Sequence, residues 1–374
     1  MQFRDIIGND ELKEKLVKMA QNGRVSHAFM FIEKDGRGAL PLVLAFIQYL
    51  SCRQKEENAT DSCGQCPVCI RMGKIIHPDV HFAFPVNASS SSGQKPVSGH
   101  FLREWTELIE ENPYFTESEL YRKIKMEDKV GAISVNESKE ILSALSLKSY
   151  EGFNKYMIIW LPERMSAEAA NRLLKIIEEP TPDTYFFFIT HNPEKVIKTI
   201  RSRTVPVAVH PVDTALLANM LKEKKNMPLE KAEIYARMSG GSPGIALKLI
   251  AEAQDGNIYY PIITNLLKDK LSGDLYSMLS SAESFTTLGR EKQKECLATM
   301  LDLIRKIFLF SKGLEKISNA GPDEIGEIQQ FAKALKPTFY ENAAKAVEDA
   351  IHSIESNVNA KIVYSNLVNY IFVY

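Results

Sequence analysis

His27-Ala28-Phe29-Met30-Phe31-Ile32-Glu33-Lys34-Asp35-Gly36-Arg37-Gly38-Ala39-Leu40 decides the fold. An apolar run, a glycine-bearing turn and a second apolar stretch are the pattern of a buried strand, a phosphate-cradling loop and a helix. A working loop of this kind carries Gly-x-x-x-x-Gly-Lys-[Ser/Thr]: backbone amides hold the phosphates, the lysine reaches the β and γ oxygens, and the hydroxyl holds magnesium. At those four positions stand Glu33, Gly38, Ala39 and Leu40. Glu33 meets phosphate with a like charge, Ala39 supplies no cation, and Leu40 offers magnesium no oxygen. Nucleotide hydrolysis by this chain alone is therefore not expected.

A second loss accompanies the first. The strand-like run Tyr156 to Leu161 ends in Trp160-Leu161, where an Asp-Glu pair would hold magnesium and polarise water. One degenerate loop is weak as a signal, but two at the expected separation describe a nucleotide-motor fold without its chemistry. Two further apolar runs, Tyr185 to Thr190 and Thr204 to Val209, alternate with helical patterns, so residues 1–206 are expected to form a parallel α/β sheet.

The 374 residues, 45% hydrophobic and 25% charged, are enough for two or three domains with real cores. A formal net charge of -1 gives no global attraction to nucleic acid or anionic membranes, so DNA contact would need a local basic patch and a protein partner is the simpler expectation. With no run of eighteen apolar residues and no signal pattern at Met1-Gln2-Phe3-Arg4-Asp5, a cytoplasmic protein without membrane partners is expected.

Cys52, Cys63, Cys66 and Cys69 form two consecutive Cys-x-x-Cys steps preceded by a fourth thiol. Thiolates two residues apart point at one ion from a tight turn, and Gly64 and Pro67 suit such a turn. Structural zinc is the expected cofactor, because four sulfurs close the shell and leave no position for water or substrate. Reduced unliganded thiols or a disulfide pair are the alternatives. His77 and His81 are rival ligands that four thiols make unnecessary, and Cys296 reads as core.

Between the cysteines and Ile133, residues 85–130 read as an insertion. Asn87 to Gly99, rich in Ser, Gly and Pro, reads as a mobile surface loop, and a charged helical stretch follows from Phe101 to Ile109. Beyond about 210, strand signals vanish. Leu297, Met300, Leu301, Ile304, Ile307 and Phe308 space one apolar helical face, so the C-terminal third is expected to be an all-helical bundle. Lys222-Glu223-Lys224-Lys225 reads as a solvated helix face.

Phe3 to Asn9, Gly23 to Phe29, the cysteines followed by His77-Pro78-Asp79, Ser146 to Gly152, and Ala169-Ala170-Asn171-Arg172-Leu173-Leu174-Lys175-Ile176-Ile177-Glu178-Glu179-Pro180 together resemble bacterial clamp-loader subunits of the DNA polymerase III holoenzyme, in the family's order and over roughly residues 1–250. The resemblance implies an AAA+ α/β domain over 1–206 with its zinc module at 52–69, a helical lid over 207–252 and a helical collar or oligomerisation domain over 253–374. It implies motor ATPase subunits and a delta subunit as partners, and a sliding clamp and primed DNA reached through the complex. Family members with intact loops are the motors; the delta prime branch keeps the fold without competent ATP-binding residues, and the two losses point there.

The departures from the family pattern agree. Gly241-Ser242-Pro243-Gly244 is followed by Ile245, where ATP-using members carry an arginine that touches the γ-phosphate. Arg201-Ser202-Arg203-Thr204 resembles the family's Ser-Arg-Cys motif, with threonine for cysteine. In that motif the arginine enters the adjoining subunit's site, so Arg203 is the candidate catalytic group, acting in trans, with Arg201 the weaker choice. A solvated loop arginine in a surface ion pair is the alternative. His191 and Asn192 hold the family's sensor position and, with no nucleotide expected here, read as structural. A divergent gamma/tau-like motor that still binds ATP, and a zinc-dependent DNA-binding module, remain the competing functions. As a lone chain it is not expected to be an ATPase.

Overall fold

The computed structural model describes residues 1–87, 96–126, 130–150, 154–254, 259–318, 320–321 and 324–373. Most of the Ser/Gly/Pro-rich stretch (88–95), the end of the 85–130 insertion (127–129 within it) and residues 151–152 of the Ser146 to Gly152 segment lie outside them.

Five parallel strands form one sheet: β1 (Ala28–Ile32), β2 (Val80–Ala83), β3 (Lys155–Trp160), β4 (Thr184–Thr190) and β5 (Val205–Ala208), in the order β2-β3-β4-β1-β5. The three central strands are apolar at nearly every position because helices cover both faces, as parallel sheets require. Register sorts their side chains by alternation: Phe29, Phe31, Tyr156, Ile158, Phe187 and Ile189 pack on one face, and Ala28, Met30, Met157, Ile159, Phe186 and Phe188 on the other. Four of the five strands match the apolar runs of the sequence to within a residue. The fifth, β2, is not among them: it has four residues at an edge, His81 interrupts its apolar residues, and the apolar stretch that follows contains the strand-breaking Pro85. β5 is the other edge, where Pro206 is tolerated.

The helices that alternate with and follow these strands are α1 (Asp10–Gln21), α2 (Ala39–Ser51), α3 (Pro67–Gly73), α4 (Leu102–Glu111), α5 (Glu117–Lys123), α6 (Val135–Ser146), α7 (Ala167–Glu178), α8 (Lys198–Arg201), α9 (Thr214–Lys225), α10 (Leu229–Met238) and α11 (Pro243–Gln254). α2 is apolar all round and buried from Ala39 to Tyr49, the signature of a central helix rather than a surface one. Within the stretch read as an insertion, α4 and the turn after it reach the core. Trp105 stacks on Phe84 with ring centroids 4.2 Å apart and meets Phe115 and Trp160 edge-on at 5.1 and 5.5 Å.

The chain divides into two compact units, the first comprising Met1–Met126 and Val130–Lys248, and the second running from Leu249. The second is helical among its described residues: α12 (Tyr259–Ser272), α13 (Leu275–Ser280), α14 (Ala282–Thr286), α15 (Arg290–Ser311), α16 (Ile325–Ala334), α17 (Pro337–Glu355) and α18 (Ala360–Val373). α15 runs through its core, burying Cys296, Leu297, Met300, Leu303, Ile304 and Ile307. The apolar face lies slightly off the one read from the sequence: Leu303 is inside, while Phe308 is 38% exposed and meets the Tyr340 ring edge-on. No described helix is long and apolar enough to cross a membrane.

Candidate functional site

Glu33 follows β1 directly, and Gly36 and Gly38 take left-handed φ values of 71° and 109°, turning the chain into α2. That turn aims the first amides of α2 inward, as in a phosphate cradle. The anion they meet is the chain's own. The Glu33 carboxylate, 6% exposed, accepts a hydrogen bond from the Ala39 N–H at 2.9 Å. It supplies the negative charge that the uncapped N-terminus of α2 attracts, since the N-cap residue Gly38 has no side chain to do so.

Tyr114, after α4, closes the loop from outside. Its ring lies so near Gly38 that a Cβ there would sit 2.8 Å from Cε1, and its hydroxyl accepts from the Ile7 N–H at 3.1 Å. Burial pushes the Tyr114 phenol up to about 12. The turn that opens α11 closes the loop further: the Gly244 N–H donates to the Gly36 carbonyl at 2.9 Å and the Ser242 hydroxyl to the Asp35 carbonyl at 2.8 Å. The Asp35 carboxylate in turn accepts from the Glu117 N–H at 3.2 Å.

His191 balances these carboxylates. Its Nε2 lies 3.8 Å from Glu33 Oε1 and 3.7 Å from Asp35 Oδ1, and its ring stands edge-on to Trp160. Burial alone would lower the imidazole, but Glu33, Asp35 and Glu163 outweigh it and raise it to about 9, so an imidazolium sits beside the loop at neutral pH. Burial raises the Asp35 carboxyl to about 6 against the pull of His191. Glu163, two residues past Leu161, accepts from the Thr190 hydroxyl at 2.7 Å and from the N–H groups of His191 and Asn192 at 2.8 and 3.1 Å, tying the ends of β3 and β4 together. The amides of His191 and Asn192 are thus spent on a side chain. Trp160 and Leu161 are buried where magnesium-binding carboxylates would stand.

Arg203 lies between α8 and β5. Its Nε and Nη2 engage the Glu178 carboxylate at the end of α7, and its Nη1 donates to the Thr199 carbonyl at 2.8 Å and lies 3.4 Å from the Ser202 hydroxyl. None of these partners belongs to the Glu33 to Leu40 loop, and the side chain is 33% exposed. Arg201 instead bonds Glu194 at 2.7 Å and the Pro193 carbonyl at 3.2 Å, while Thr204 turns its hydroxyl back onto the Arg201 carbonyl.

The four thiols converge. Cys52 caps the end of α2 and Cys66 the start of α3, and the ligand atoms of Cys52, Cys63, Cys66 and Cys69 all lie within 4.8 Å of one another with no disulfide among them. The 3.8 Å between Cys63 Sγ and Cys69 Sγ equals the edge of a tetrahedron with zinc–sulfur bonds of about 2.3 Å. Backbone N–H groups of Cys63, Cys66 and Cys69 point at Cys52, Cys63 and Cys66 sulfurs at 3.3, 3.3 and 3.5 Å, as thiolate ligands need. The donor set therefore fits zinc in a closed shell. His77 is absent from the cluster; its Nδ1 accepts from the Asp79 N–H at 3.2 Å. Next to the cysteines, Asp61 accepts from the N–H groups of Phe3 and Arg4 at 3.1 Å, so the module also holds the start of the chain.

Tyr114 and Glu163 carry no local sequence signal, and Glu178, though inside the Ala169 to Pro180 segment, gives none of its pairing with Arg203: each meets the candidate residues across a long stretch of chain.

Residues 8–213 match the family model described as DNA polymerase III, delta subunit. The chain is 26% identical over 327 residues to DNA polymerase III subunit delta' of Escherichia coli (strain K12), covering 87% of this chain and 82% of the relative. It is 24% identical over 351 residues to the same subunit of Yersinia pestis, covering 92% and 88%. Among solved structures, a DNA polymerase III gamma subunit-related protein of Thermotoga maritima aligns with a TM-score of 0.40 at 14% identity, covering 96% of this chain and 98% of that one.

Proposed function

The chain belongs to the family described as DNA polymerase III, delta subunit, and from that premise we propose that it is the non-hydrolysing stator of a clamp loader. The observation that carries this reading is the occupied loop: the Glu33 carboxylate sits on the Ala39 N–H where a phosphate would lie, and Tyr114 covers Gly38. A nucleotide would have to displace a buried carboxylate paired with His191 and then bind without lysine, magnesium ligand or lid arginine. The work left to this chain is to hold partners and to lend Arg203.

Arg203 serves a neighbouring motor subunit's ATP. A guanidinium on the transferring phosphoryl group neutralises charge that develops in the transition state, a contribution on the order of 10³ to 10⁵ in rate. The second unit is the collar that joins the motor and delta subunits in a ring, and the ring opens a sliding clamp and places it on primed DNA. Cys52, Cys63, Cys66 and Cys69 would hold zinc, which stiffens the turn and leaves no site for chemistry.

The test is reconstitution with the cognate motor subunits, clamp and primed DNA. Arg203→Ala is expected to cut stimulated ATP hydrolysis at least a hundredfold with the complex still assembled; equal rates would remove the finger from the reading. Fluorescent ATP titrated into the isolated chain is expected to show no saturable binding, and micromolar affinity would mark it as a divergent motor instead.

A further inference from the structure

Arg203 is held on two sides before any partner arrives. Glu178, the last residue of α7, engages Nε and Nη2 of the guanidinium, and the Thr199 carbonyl and Ser202 hydroxyl engage Nη1. Of the five N–H groups of an arginine, these contacts use Nε, both on Nη1 and one on Nη2, so one Nη2 N–H stays uncommitted. We propose that Glu178 is a positioning residue for Arg203, fixing the guanidinium so that its remaining Nη2 N–H is presented to a phosphoryl oxygen of the adjoining subunit's nucleotide.

The physical case has three parts. Arginine carries large rotamer freedom, and a finger that must find its conformation after docking loses rate to that search. Nε and Nη2 share one carboxylate oxygen, Glu178 Oε1, which tethers that edge of the guanidinium. Glu178 also stands at the C-terminal end of α7, where the helix dipole is negative and favours a cation. As an exposed ion pair the contact adds little to the stability of the chain, so its removal is expected to be read in catalysis and not in folding.

This inference rests on the reading of Arg203 as a finger, and the experiment separates the two. ATP hydrolysis by the reconstituted complex, with clamp and primed DNA, is measured for Arg203→Ala, Glu178→Ala, the double variant and Glu178→Gln. Glu178→Ala is expected to lower kcat roughly tenfold with KM for ATP, complex assembly and melting temperature unchanged. The double variant is expected to equal Arg203→Ala, and Glu178→Gln, which keeps an acceptor oxygen for Nε and Nη2, to recover part of the rate. Wild-type or higher kcat for Glu178→Ala would overturn the proposal, and so would a double variant slower than Arg203→Ala, because Glu178 would then act independently. Wild-type kcat for Arg203→Ala would remove the finger itself and this inference with it.

Discussion

A carboxylate at position 33 does two jobs: it caps α2 from inside and gives His191 a reason to stay charged. Glu33→Gln keeps the shape and removes the charge, so the His191 imidazole is expected to fall towards its ordinary value and stability to drop by about 1–3 kcal/mol. Histidine NMR titration and urea unfolding check both. The wild-type cluster also sets a pH dependence. His191 titrates near 9 when folded against about 6.5 when unfolded. Its stabilisation is therefore full below pH 6.5 and lost as pH rises through 9, on the order of 3 kcal/mol at most. Asp35, raised to about 6 from 3.8, adds an earlier loss of the same sign between those values. Urea midpoints measured from pH 6.5 to 9.5 are expected to fall for the wild type and to stay nearly flat for His191→Gln; parallel curves would refute the assignment. The sequence made the losses at Glu33, Ala39 and Leu40 legible, because they are absences of residue types at fixed spacing. It could not show that Glu33 folds back onto Ala39, or that Tyr114 and Glu163 fill the vacated space, because those contacts join distant parts of the chain with no local pattern.

At the scale of elements, legibility followed unbroken apolar runs more than burial. β1, β3 and β4 are covered on both faces and their runs stand out, and β5 is legible although three of its four residues are exposed; β2 carries His81 and runs into Pro85, and α4 looks like a charged surface helix although Trp105 is fully buried. Removing that ring would leave Phe84, Phe115 and Trp160 facing a cavity, so Trp105→Ala is expected to cost about 3–5 kcal/mol of stability. A loss below 1 kcal/mol in chemical unfolding would return the segment to the status of a surface insertion. The convergence of Cys52, Cys63, Cys66 and Cys69 was readable because two Cys-x-x-Cys steps bring thiols together in a tight turn. Its removal is expected to act locally first. Cys63→Ser, or chelation of the wild type, is expected to lower bound zinc from one per chain and to speed proteolytic cleavage near Asp61, where the module holds Phe3 and Arg4. Unchanged metal content in Cys63→Ser would show that the thiols do not share an ion.

For the whole molecule, the arrangement of cores predicts how the chain can be divided. The sheet carries a core on each face, built from residues up to Val209, and the second unit carries another, built from Tyr259 onward, without a shared member. A chain that ends at Lys248 keeps every residue of the first unit's two clusters, so it is expected to fold cooperatively and to retain the cysteine cluster, as a domain with its own core should. The same truncation removes the whole helical unit proposed as the collar. Mixed with the motor and delta subunits, it is expected to elute alone in size-exclusion chromatography, while the full chain co-elutes with them. Folding is verified on the same sample by its melting transition, so failure to join the complex cannot be confused with failure to fold. A truncated chain that folds and still enters the complex would move the assembly surface onto the first unit.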